Sequence, residues 1–131
     1  MANPNIVSVT SIYGESIGEA LTTTVGPDIM TVRIHNLVKI NSIIVTNTHA
    51  TNAVAVTVKI VKAGFTSAGI GASEDNAGTF ALASTMNLPA DDSLVLVDKP
   101  IYLMEADVLR GGASAASTLE LFASYEVIND A

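Results

Sequence analysis

Hydrophobic positions recur along this chain in short runs with a period of two. The clearest runs are Leu37–Thr46, holding Val38, Ile40, Ile43, Ile44 and Val45, and Ala53–Lys62. In the second, Val54, Val56, Val58 and Ile60 alternate with Ala55, Thr57, Lys59 and Val61. Sustained alternation predicts a half-buried β-strand, and Val, Ile and Thr suit a pleated surface better than a helix. The polar residues Asn47–Asn52 between the runs are turn-forming. The stretch 37–64 therefore reads as a long β-hairpin at the centre of the domain. Val54, Val56, Val58 and Ile60 are expected to face the core, with Leu94, Leu96, Leu119 and Leu121 among their cover.

Shorter strands are predicted at 5–10, 21–25, 29–34, 80–86, 93–97, 101–104, 108–110 and 119–128. Residues 15–21 (ESIGEAL) read as one weak helical turn at most, because Gly18 opposes a longer helix. The almost wholly apolar Ser93–Val97 reads as a strand buried on both faces, and Gly111–Ser117 as a turn. Pro4, Pro27, Pro89 and Pro100 all fall at turns or ends. Short strands separated by turn residues, with no helix to cover a sheet, predict an all-β fold. The expected architecture is an antiparallel β-sandwich, jelly-roll-like, forming one domain over 1–131 with an N-terminal arm at about 1–10.

Composition adds two constraints. Hydrophobic residues make up 49% and charged residues 15%, with a mean hydropathy of +0.45. No apolar run approaches the roughly 20 residues of a membrane helix, so the expectation is no membrane partner and surface hidden by self-association or docking. The net charge of −7 argues against a nucleic-acid partner, which calls for a basic footprint. There is no cysteine, which excludes disulfides, thiolate metal sites and cysteine catalysis. The opening Met-Ala-Asn-Pro-Asn lacks the pattern of a signal peptide, so synthesis and use without Sec-type export are expected.

Candidate chemistry is sparse. His35 and His49 lie in a connection and a turn, fourteen residues apart, and make no metal constellation. There is no GxSxG elbow and no phosphate-binding glycine loop. Asp91-Asp92 and Glu105/Asp107 are acidic pairs of the kind that bind calcium or serve glycosidases. Aspartate in turns more commonly caps backbone amides. The expectation is no enzyme, no cofactor and no metal. The aromatic residues are scattered and include no tryptophan, which disfavours a sugar-binding platform.

Three segments carry a resemblance. They are Leu88–Val97 (LPADDSLVLV), Lys99–Arg110 (KPIYLMEADVLR) and Leu119–Ile128 (LELFASYEVI), preceded by Asn5–Gly14 (NIVSVTSIYG) and Ala20–Thr23 (ALTT). Together they resemble small virion structural proteins of tailed phages, notably marine and cyanobacterial ones, whose pattern runs roughly PAxxxLVV…IYLxEGDxLR…SYExI. Ala106 departs from it, standing where the pattern has glycine, and implies a turn with negative φ. The loop 65–78 is a second departure, being longer than the pattern has. The resemblance implies a capsid decoration (cement) protein that binds the major capsid protein on the outer head surface, with a trimer favoured. That location is the virion, after synthesis in the host cytoplasm. A tail-, neck- or fibre-associated protein is the alternative, and a glycan-binding β-sandwich is the alternative of another class. Contact residues are expected in the apolar arm, at Asn5, Ile6, Val7 and Val9, and in the glycine-rich loop 65–78, at Phe65 and Ile70.

Overall fold

The computed structural model describes residues 9–24, 28–64, 77–116 and 118–129. Nine strands are described: β1 (Ser11–Ala20), β2 (Asp28–Thr31), β3 (Asn36–Asn47), β4 (Val54–Lys62), β5 (Gly78–Leu88), β6 (Ser93–Val97), β7 (Ile101–Leu103), β8 (Val108–Ala113) and β9 (Leu119–Asn129). There is no helix among the described residues. All the pairings are antiparallel. One sheet runs β1-β9-β3-β6, with β7 continuing the line of β6 along β3; the other runs β2-β8-β4-β5.

The pairings nest: β1 with β9, β2 with β8, β3 with β6 and β7, β4 with β5. The chain is one long antiparallel ribbon whose tip is β4–β5, wound so that successive pairs enter opposite sheets. That winding is a jelly roll, and the sandwich expected from the sequence is present.

The predicted hairpin between β3 and β4 is not. β3 is flanked by β9 and by β6 with β7, while β4 is flanked by β8 and β5. Neither has a free edge for the other. The polar stretch after β3 is an arch that carries the chain from one sheet to the other, and side-chain hydrogen bonds hold it. Asn47, fully buried, donates through Nδ2 to the carbonyls of Asn52 and Leu88, both at 3.0 Å, and accepts from the His49 amide at 3.0 Å. His49 Nδ1 accepts from the amides of Thr51 (3.1 Å) and Asn52 (3.0 Å).

The core lies where the alternation places it. Val54, Val56, Val58 and Ile60 are buried against Ile40, Ile43, Val45, Leu119 and Leu121, and Leu94 and Leu96 pack at its margin. Gly111 of β8 packs tightly here: a Cβ would stand 3.0 Å from Ile29 Cδ1 and 3.1 Å from Leu21 Cδ2, so both side-chain ends would have to give.

Other expectations change. Ser11–Ala20 is a strand throughout, not a helical turn: it is the edge partner of β9, and tertiary pairing overrides a weak local preference. Leu21–Thr24 are not strand, and of 5–10 only Val9 and Thr10 lie among the described residues. Gly111–Ala113 continue β8 rather than turn. β6 is buried on one side only, with Val95 exposed, because that side is the outer face of its sheet, where Phe122 of the interior strand β9 is exposed as well. Ala106 has φ +70°, the left-handed conformation, so it takes the geometry that glycine adopts freely instead of a different turn. Thr85 is also left-handed, at φ +44°, in an irregular stretch of β5 where its amide donates to Thr57 Oγ1 at 3.0 Å.

Candidate functional site

Of the predicted contact residues, Asn5, Ile6, Val7, Phe65 and Ile70 lie outside the described residues. Val9 is half-buried, two residues before β1, where the Thr10 amide donates to the Asn129 carbonyl at 2.7 Å.

In each acidic pair one carboxylate, Asp107 or Asp92, has a structural partner. The Asp107 side chain is buried, and its carboxylate accepts from the amides of Ala63 (3.0 Å) and Met104 (2.9 Å) and from Lys62 Nζ. It ties the end of β4 to the turn before β8. Asp92 Oδ1 accepts from the Ser93 amide at 2.8 Å, and the Asp91 amide donates to the His49 carbonyl at 3.1 Å. Among the described residues no group of three His, Asp or Glu side chains is arranged to hold a metal ion.

Apolar side chains reach the surface at Ile34 before β3, at Ile12 and Tyr13 of β1, and in two further places. The first is the outer face of the β1-β9-β3-β6 sheet. Opposed residues in antiparallel strands share a face, so Val95, Ile44, Phe122 and Gly18 form one row across all four strands. Val95 is 56% exposed and Phe122 51%. The Phe122 ring lies against Gly18, whose absent side chain leaves it room.

The second is β5. Its eleven residues carry no charge, and only Ala83 and Leu88 are buried. Phe80 pairs with Ile60 and Met86 with Val56, so both share a face with core residues, yet they are 52% and 46% exposed. At the sheet's edge, the facing sheet does not cover them. Sequence alternation finds these residues but not their exposure, which depends on the strand's place in the sheet.

A cleft of about 450 Å³ opens between β1 and β2, lined by Tyr13, Glu15, Arg33, Asn36 and Tyr125 among others. Tyr125 Oη donates to Glu15 Oε1 at 3.2 Å. Burial, then that hydrogen bond and the Glu15 charge, raise the phenol above its ordinary pKa. The Asn36 Oδ1 atom is buried without a hydrogen-bond partner. The scattered aromatics of the sequence thus converge in part, which spacing alone does not reveal.

No protein-family model matches the chain, and no curated protein matches it. Among solved structures, that of infectious bursal disease virus Gt strain aligns over 92% of this chain and 32% of its own, at 13% identity and a TM-score of 0.41. The VP2 subviral particle of infectious bursal disease virus aligns over 90% of this chain and 32% of its own, also at 13% identity and 0.41. This chain spans about a third of those chains' length. The jelly-roll assignment rests on the strand pairings above.

Proposed function

We propose that this chain is a non-enzymatic structural subunit of a virus particle, a decoration protein that binds the outer surface of a tailed-phage head. The observation that carries the reading is the patterned sequence Leu88–Ile128, which resembles that class and supplies β6, β7, β8 and β9. Two features support it. A double sheet with no helix among the described residues gives a rigid body, and the uncharged β5 and the Val95–Phe122 row offer apolar surface for burial against a capsid lattice. Many identical weak contacts, repeated by the symmetry of the head, bind with high avidity, and binding only to the assembled shell stabilises that shell. The major capsid protein is the partner in this reading, and the head surface the location. Gold labelling of particles with an antibody to this chain tests it. Label is expected over the whole head; label confined to the tail, neck or fibres sinks the decoration role and moves the chain to those structures.

A glycan-binding reading has one observation in its favour, the cleft with Tyr13, Tyr125, Glu15 and the unpartnered Asn36 oxygen. A glycan array probed with the purified protein decides it. Binding that Tyr125→Ala abolishes supports this reading, and a blank array removes it.

A further inference from the structure

β1 differs from every other sheet edge among the described residues. It pairs with β9 through ten consecutive residues without a register shift, and among the described residues nothing pairs with its other side. By contrast β2 is four residues long and irregular, β5 is irregular around Ala83, opposite Val58 of β4, and the β6–β7 edge is interrupted by Asp98–Pro100. A long regular edge is a template for another strand.

The hydrogen-bonding parity of β1 is fixed by its last bond. The Leu21 amide donates to the Leu119 carbonyl at 2.9 Å, so odd-numbered residues exchange bonds with β9. The amides and carbonyls of Ile12, Gly14, Ser16, Gly18 and Ala20 therefore point away, toward the open edge.

We propose that two copies of this chain join through β1, antiparallel about a two-fold axis at Ser16, to make one continuous sheet. Parity and charge select this register. Pairing even residues with even residues keeps the faces matched. An axis at Glu15 sets Glu15 against its own copy, and an axis at Ile17 sets Glu15 against Glu19. Like charges directly opposed oppose pairing. An axis at Ser16 sets Glu15 against Ile17, Glu19 against Tyr13, Gly14 against Gly18 and Ile12 against Ala20, with no acid facing an acid. Five outward residues then meet five, giving about ten new backbone hydrogen bonds. The segment is thus complementary to itself, which makes a second copy the occupant. A two-fold contact of this kind links lone subunits or members of neighbouring trimers equally, and it does not depend on the virion reading.

The chain has no cysteine, so Ser16→Cys provides a single clean probe. Across a hydrogen-bonded pair the Cα atoms lie about 5.5 Å apart, within disulfide reach. Under mild oxidation the full-length Ser16→Cys protein is expected to form a covalent dimer at least tenfold faster than Thr79→Cys on the exposed β5 edge. Light scattering of the wild type is expected to show an even number of copies that dissociates on dilution. Gly18→Pro removes an outward amide while leaving the bonds to β9, so it is expected to weaken association at least tenfold with an unchanged circular dichroism spectrum. Should that variant misfold, the crosslinking comparison decides. Equal crosslinking rates for the two cysteine variants, or a wild type that stays monomeric or trimeric at millimolar concentration, overturns the proposal.

Discussion

β4 and β5 are antiparallel neighbours of similar length, and their facing residues are equally apolar, yet they meet opposite fates. Val56 and Ile60 are buried, while their cross-strand partners Met86 and Phe80 stand about half exposed. β4 lies between β8 and β5 beneath the other sheet, whereas β5 is an edge that the facing sheet leaves uncovered. The ends differ as well. Asn47 bonds to the Asn52 carbonyl just ahead of β4, and Asp107 binds Lys62 and the Ala63 amide at its close. The same apolar residue type therefore holds the fold together in one strand and is available to a partner in the next.

The largest expected effect is the contrast between two charge insertions. Val56→Asp buries an unpaired carboxylate and should cost more than about 4 kcal/mol, leaving the protein insoluble or unfolded. Met86→Asp, one strand away on the same face, should cost no more than about 1 kcal/mol. Urea unfolding of both measures the gap; similar losses would mean β5 is as enclosed as β4. Next comes Asp107→Ala, which strands a part-buried Lys62 and two amides. A loss of about 3 kcal/mol is expected, read as a lower urea midpoint. Asn47→Ala leaves the carbonyls of Asn52 and Leu88 and the His49 amide without their partner, for about 2 kcal/mol. A neutral Asn47→Ala would show that the arch does not depend on this side chain.

Much of this fold is legible in the alternation of the sequence. It marks which side of β4 and β9 faces inward, and it excludes helix as a covering layer. It does not say which strand lies beside which. Alternation fixes a face, but pairing is set by contacts between residues such as Ile43 and Ala123, eighty positions apart. That is why the polar stretch after β3 reads as a hairpin turn although it is an arch. It is also why Ser11–Ala20, with two glycines and two acids, reveals itself as a strand only through β9. The surface is less legible still. Val95 sits in a run whose composition predicts full burial, and its place on the outer face of the sheet exposes it. Asp107 looks like any turn acid until its three donors are seen. The exposed row Val95–Ile44–Phe122 draws on three strands distant in sequence, so no local motif announces it.

We propose that the apolar residues left uncovered at β5 serve a partner on the virus head. Phe80→Ser combined with Met86→Ser removes that surface at a cost to stability of about 1 kcal/mol or less. Cosedimentation of the purified protein with assembled heads stripped of it tests the claim directly. Wild-type protein should pellet with the heads in saturable, many-copy stoichiometry, and the double variant, folded by circular dichroism, should remain in the supernatant. Equal pelleting of both, or no pelleting of either, would contradict that role for β5.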